Sequence, residues 1–128
     1  PEDISWAMEL ALKKSWKNNA RIAILFADAP CHGIKYHDEE VSDDYPNGVE
    51  GRRDIEELIE ELAKKNISLY CTEINQDTKI MYQIFKDIYN KYNECEFNLI
   101  PLIKETNITN CIGDTCSKIY LKHRLVKI

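Results

Sequence analysis

The sequence predicts an α/β domain built on a mostly parallel sheet with helices on both faces. Three observations carry that expectation. Ile22-Ala23-Ile24-Leu25-Phe26-Ala27 is apolar without alternation, as in a strand covered on both sides. From Asp54 to Lys65, the residues Ile55, Leu58, Ile59, Leu62 and Ala63 all fall on one helical face. Strands and helices then alternate along the chain, which implies right-handed crossovers and parallel pairing.

The elements follow in order. Residues 3–17 are expected to be helical, with Ile4, Ala7, Met8, Ala11 and Leu12 on one face. Pro1, Glu2 and Asp3 suit a helix start, where a missing N–H and negative charge are both favoured. The strand Ile22–Ala27 ends at Asp28-Ala29-Pro30. Residues 29–52 are a long polar loop, a length that usually signals function or disorder. The helix from Asp54 to Lys65 carries Asp54, Glu56 and Glu57 in its first turn and Lys64 and Lys65 in its last, as the helix dipole prefers. A second strand spans Ile67–Ile74, and the turn Asn75-Gln76-Asp77-Thr78 offers capping residues. A third helix sets Met81, Ile84, Phe85, Ile88 and Tyr92 on one face. The third strand is Phe97–Ile103, with Pro101 marking an edge or a bulge. A last helix is expected from Thr115 to His123, and Leu125–Ile128 as a further strand or chain end. The expected core is Ile22, Ile24, Phe26, Leu58, Leu62, Leu69, Ile84, Phe85 and Leu99.

Bulk properties narrow the function classes. The 128 residues suit one domain, and 44% hydrophobic with 30% charged residues is ordinary globular usage. The net charge of -5, with no Lys/Arg cluster, argues against nucleic acid as the partner. The longest apolar run is far too short to cross a bilayer, so no transmembrane segment is expected. Pro1 opens directly into a helical pattern, so no signal peptide is expected, and the absence of an initiator Met suggests a segment of a longer chain. The five cysteines, an odd number without a CxxC pair, read as reduced thiols of a cytoplasmic protein. Asn66-Ile67-Ser68 and Asn107-Ile108-Thr109 match the glycosylation pattern by chance, the first because it runs into a buried strand.

Chemistry is sparse. Ligands of open α/β sheets bind beyond the carboxyl ends of the strands, where Asp28 stands. A carboxylate there can hold a hard cation, or simply cap the turn that follows. The loop carries Cys31, His32, His37, Asp38, Glu39, Glu40, Asp43 and Asp44. Cys and His suit zinc and carboxylates suit magnesium or calcium, but adjacent Cys31 and His32 cannot easily grip one tetrahedral ion. A solvated acidic loop is the simpler description. A thiolate–imidazolium pair of Cys31 with His32 or His37 has little support, since loop neighbours seldom point at each other. The sequence has no G-x-S-x-G elbow, no Walker loop and no G-x-G-x-x-G.

The segment Phe26-Ala27-Asp28-Ala29-Pro30-Cys31-His32-Gly33 resembles the fourth-strand signature of von Willebrand factor A (vWA) domains of the type linked to atypical alpha-kinases in protists and fungi. Pro1-Glu2-Asp3, Asp44-Tyr45-Pro46-Asn47-Gly48, Lys65-Asn66-Ile67 and the stretch Asn75 to Met81 resemble the same family, over roughly residues 1–103. The resemblance implies the Rossmann-like vWA fold and a metal-ion-dependent adhesion site, usually for magnesium. Such a site takes an Asp-x-Ser-x-Ser motif after the first strand, a later Thr, and an Asp after the fourth strand. Asp28 matches the last of these. Asp3-Ile4-Ser5-Trp6-Ala7 lacks the final Ser and lies on a helix, and the first strand would fall before Pro1. The expectation is therefore residues 1–128 as one partial vWA-like domain, its back half with the front strands missing, and a truncated or degenerate adhesion site.

The function expected is a non-catalytic protein-interaction module of a larger, alpha-kinase-linked Ser/Thr kinase protein. Its partner surface is expected at Cys31, His32, His37, Asp43, Asp44 and Tyr45, with Asp28 toward magnesium, held weakly or not at all. The competing class is a small metal-dependent hydrolase of Rossmann-like type, which needs a second carboxylate beside Asp28. Glu73 is the candidate.

Overall fold

The computed structural model describes residues 1–102, 110 and 112–118. Its elements run α1 (Ile4–Leu12), β1 (Ile22–Leu25), a single 3-10 turn (Ile34–Tyr36), α2 (Ile55–Lys64), β2 (Ser68–Glu73), α3 (Lys79–Tyr89) and β3 (Phe97–Pro101). The three strands form one parallel sheet in the order β1-β2-β3. This is the expected α/β, Rossmann-like arrangement.

Capping chemistry sets the helix bounds. The Asp3 carboxylate accepts from the Trp6 amide at 3.1 Å and starts α1. The helix stops at Leu12 rather than running to residue 17, because Trp16 folds back and donates its indole N–H to the Ala11 carbonyl at 2.9 Å. Asp54 caps α2 by accepting from the Glu56 amide at 3.1 Å. Asn66 ends it in the left-handed region, at φ 59°. Bonds from Asn66 N to Ala63 O and from Ile67 N to Leu62 O complete a Schellman turn. That turn feeds the chain straight into β2, the central strand.

The main core lies on one face of the sheet. There α1, α2 and α3 bury Ile4, Met8, Leu58, Ile59, Leu62, Met81, Phe85 and Tyr89 against Leu69 and Cys71 of β2. On the opposite face Tyr70 and Ile100 form a smaller cluster with Ile22, Ile24 and Leu102. Helical residues 112–118 border that face. Asp114, Thr115 and Lys118 line a cavity of about 480 Å³ together with Tyr70, Asn98 and Ile100. Helices thus stand on both faces.

Leu58, Leu62, Leu69 and Phe85 are wholly buried, as expected. Five expected core residues are not. Ile22, Ile24 and Ile84 are half-buried, while Phe26 and Leu99 are 44% and 40% exposed. Ile84 lies on α3 and packs against the main core from its rim; for the other four the reason is position relative to the sheet. β1 and β3 are the outer strands of the described sheet, so their side chains lack a neighbour on one side. Pairing also stops at Leu25, which leaves Phe26 beyond the ladder. The strand expected to reach Ile103 is paired to Pro101. Ile103, most of the helix expected up to His123, and the possible strand Leu125–Ile128 lie outside the described residues. Among the described residues no helix is long and apolar enough to cross a membrane. Cys31, Cys71 and Cys95 are buried free thiols, and Cys116 is exposed and free.

Candidate functional site

The loop after β1 is an ordered clasp built around one carboxylate. Asp43 has a side chain only 4% exposed and accepts four bonds. His32 Nδ1 stands 2.7 Å from Oδ1, and the Tyr45 amide donates to the same oxygen at 2.9 Å. His37 Nε2 stands 2.8 Å from Oδ2, and the Gly33 amide donates to that oxygen, also at 2.8 Å. Burial alone works to raise the Asp43 pKa. The bonds from His32, His37, Gly33 and Tyr45 outweigh it and hold the carboxyl well below the usual carboxylate range. For His37, burial works to lower the pKa, but the Asp43 carboxylate and the Asp38 carbonyl outweigh it, and the net shift is upward.

The clasp is fastened to the domain on three sides. The Glu2 amide donates to the Pro30 carbonyl at 2.9 Å, which joins the segment before α1 to the start of the loop. The Cys31 amide packs on Met81 Sδ of α3 at 3.2 Å. Tyr36 donates its hydroxyl to Glu56 of α2 at 2.9 Å. Gly33 makes the close approach possible. Its φ is 122°, and a Cβ there would sit 2.9 Å from the Tyr36 ring. Within the loop, the Ile34 amide donates to the Pro46 carbonyl at 2.8 Å.

Outside this clasp the surface is apolar and aromatic. Ile34 is 65% and Tyr45 49% exposed, and Tyr45 meets the His32 ring edge-on at 4.9 Å. Beside them opens a cleft of about 410 Å³ lined by Asp3, His32, Ile34, Pro46, Val49 and Arg52 among others. Arg52 closes one wall by bonding Asp3 at 2.7 Å and lying 4.8 Å over the Trp6 ring.

The expected site residues thus divide. His32, His37, Asp43 and Tyr45 meet in one bonded group, with Asp44 exposed next to it. Cys31 lies underneath, 1% exposed, its thiol pushed up to about 12 by burial, so it is no thiolate nucleophile at neutral pH. Asp28 stands apart and exposed at the end of β1, its main-chain carbonyl accepting from the Asn75 side chain at 2.6 Å. Glu73 faces a different cleft, with Lys79 and Lys86. Among the described residues no group of three or more His, Cys, Asp or Glu side chains could hold a metal ion. A divalent ion at Asp28 would therefore find one protein carboxylate, a poor fit for a cation that needs several oxygen ligands. Sequence reasoning missed Gly33, Ile34, Tyr36 and Glu56. The positive-φ demand at Gly33 is the one signal that could have pointed to the close packing.

No family model matches the chain, and no solved structure matches it. The chain is similar to Alpha-protein kinase vwkA of Dictyostelium discoideum, 36% identical over 87 residues. The match covers 66% of this chain and 14% of that much longer protein.

Proposed function

We propose that this chain is a non-catalytic, vWA-like protein-interaction module of a larger cytoplasmic protein linked to an alpha-type Ser/Thr kinase domain. The similarity to an alpha-protein kinase supports the kinase link. The observation that carries the interaction reading is the build of the loop. A buried, fully bonded Asp43 holds Ile34 and Tyr45 on the surface, beside a cleft with apolar and charged walls. Rigid presentation of an aromatic and an aliphatic anchor is what a protein-binding surface needs. The partner contacts then fall to Tyr45, Ile34 and Asp44, while Cys31, His37 and Asp43 hold the loop from inside. The buried free thiols fit a reducing compartment. Magnesium, where it binds at all, engages Asp28 weakly.

A photo-crosslinking residue in place of Tyr45, in the longer protein within cells, tests this reading. A discrete crosslinked protein is expected, and Ile34→Ser is expected to lose it. Absence of any crosslink, or an Asp28-dependent hydrolytic turnover by the purified chain, overturns it.

A further inference from the structure

Thr78, the residue that opens α3, is 1% exposed, yet its hydroxyl has no hydrogen-bond partner among the described residues. It does not cap the helix. Tyr82 does not serve it either: that hydroxyl donates to the Thr72 carbonyl at 2.9 Å, and no bond joins it to Thr78. A buried hydroxyl left unbonded costs free energy, and its persistence in a native fold points to a missing partner. The main chain beside it is in the same state. The Ile80 and Met81 amides, in the first turn of α3, have no acceptor among the described residues.

Thr78 lines a cleft of about 410 Å³ at the carboxyl ends of β2 and β3, the edge where open α/β sheets bind ligands. Lys79, Gln83 and Lys86 recur at helical spacing and line it from α3. Among the described residues neither lysine has an ion-pair partner. Glu73 is the one carboxylate among the described lining residues, and Asp77, exposed just before the helix, is not part of the lining. Apart from Glu73, the strand side is apolar. Ile74 and Leu99 are 45% and 40% exposed there, next to Pro101 and Leu102.

We propose that this cleft binds an organic phosphate monoester, its phosphoryl group at the first turn of α3 and its organic substituent against Ile74 and Leu99. A helix N-terminus offers N–H donors and partial positive charge to an anion. The phosphoryl oxygens give the Thr78 hydroxyl and the free amides the acceptors they lack, in bonds strengthened by the charge. Lys79 and Lys86 balance that charge, and two lysines against one Glu73 leave the lining cationic. The ester is either a free small molecule or a phosphorylated side chain, and the group recognised is the same. The cleft lies on the β2–β3 side of the domain, so the proposal does not rest on the interaction reading of the loop after β1.

The test is a titration of the 128-residue chain with phenyl phosphate at constant ionic strength, followed by ¹⁵N amide NMR. The Ile80 and Met81 amides are expected to move along one saturable curve. Those of Glu56 and Glu57, at the head of α2 that Asp54 already caps, should stay still. Inorganic phosphate should move the same amides at lower affinity, because it leaves the apolar wall uncovered. Lys79→Gln and Lys86→Gln should each weaken phenyl phosphate roughly tenfold. Thr78→Val keeps the shape and removes the orphaned hydroxyl, so it should raise the urea midpoint of the free chain while weakening binding. If Thr78→Val does not fold, the wild type and the two lysine variants decide. A phosphoserine peptide that binds more tightly than free O-phosphoserine assigns the ester to a protein chain, and one that binds no more tightly assigns it to a small molecule. No saturable shift, equal shifts at the head of α2, or full affinity in both lysine variants overturns the proposal. A Thr78→Val midpoint below that of the wild type does so too, since the hydroxyl would then already have a partner.

Discussion

The Tyr89 hydroxyl donates to the main-chain carbonyl of Ile67 at 2.8 Å, inside the core, and so pins the last turn of α3 to the residue that leads into β2. Tyr89 is 2% and Ile67 0% exposed, so no water replaces the donor if it is removed. Tyr89→Phe should cost about 1–3 kcal/mol, the penalty of an orphaned buried carbonyl. Urea unfolding measures it, and an unchanged midpoint would mean that the carbonyl has another donor.

Core and edge should separate cleanly. Phe85, wholly buried, should lose about 3–5 kcal/mol on mutation to Ala. Leu99, 40% exposed at the outer strand, should lose about 1 kcal/mol or less by the same change. Equal losses at the two positions would show that the outer face of β3 is covered.

Gly33→Ala places a Cβ 2.9 Å from the Tyr36 ring, on a backbone at φ 122°. The expected cost is roughly 1–3 kcal/mol. Crosslinking from position 45 should weaken with it, because the same residue donates to Asp43. A neutral effect on stability would show that the ring swings aside.

Acid sensitivity follows from Asp43. Its folded pKa is depressed, so its contribution is present above the unfolded value, about 3.9, and is lost as pH falls toward the folded one. Asp43→Asn should cost about 3–5 kcal/mol near neutral pH, as when a buried ion pair loses one partner. The acid limb of the stability–pH curve should flatten in that variant. An acid limb as steep as in the wild type would assign the acid loss to other carboxylates.

Magnesium at millimolar concentration should stabilise the chain by well under about 1 kcal/mol, since a lone carboxylate binds it weakly. The measurement is a melting curve with and without the ion, on the wild type and on Asp28→Ala. A clear shift that vanishes in Asp28→Ala would reveal ligands around Asp28 beyond those described.

The helices and the parallel sheet were legible because their signals are local and periodic. Ile55 to Ala63 repeat with the helical spacing, and Ile22 to Leu25 run unbroken. Burial at the outer strands was not legible, since apolar character alone does not say which strand is central. Leu69 and Leu99 look alike in sequence and end at 0% and 40% exposure. The loop residues His32, His37, Asp43 and Tyr45 were picked out, but not their arrangement. Asp38, Glu39, Glu40, Asp43 and Asp44 are chemically near-identical, and only the fold selects Asp43 to take the two imidazoles.

The two crossovers of the sheet differ in what they carry. The one from Glu73 to Phe97 holds little more than α3, whereas the one from Leu25 to Ser68 holds the whole clasp as well as α2. Closing a longer connection costs more chain entropy, though only logarithmically. The pairing of β2 with β3 around α3 is therefore the cheaper first step on the way from the unfolded chain, and docking of β1 comes later. The Asp43 bonds, by contrast, reach only residues 32 to 45. The clasp can thus assemble on its own short range, and it meets its supports on α2 and α3 when β1 arrives.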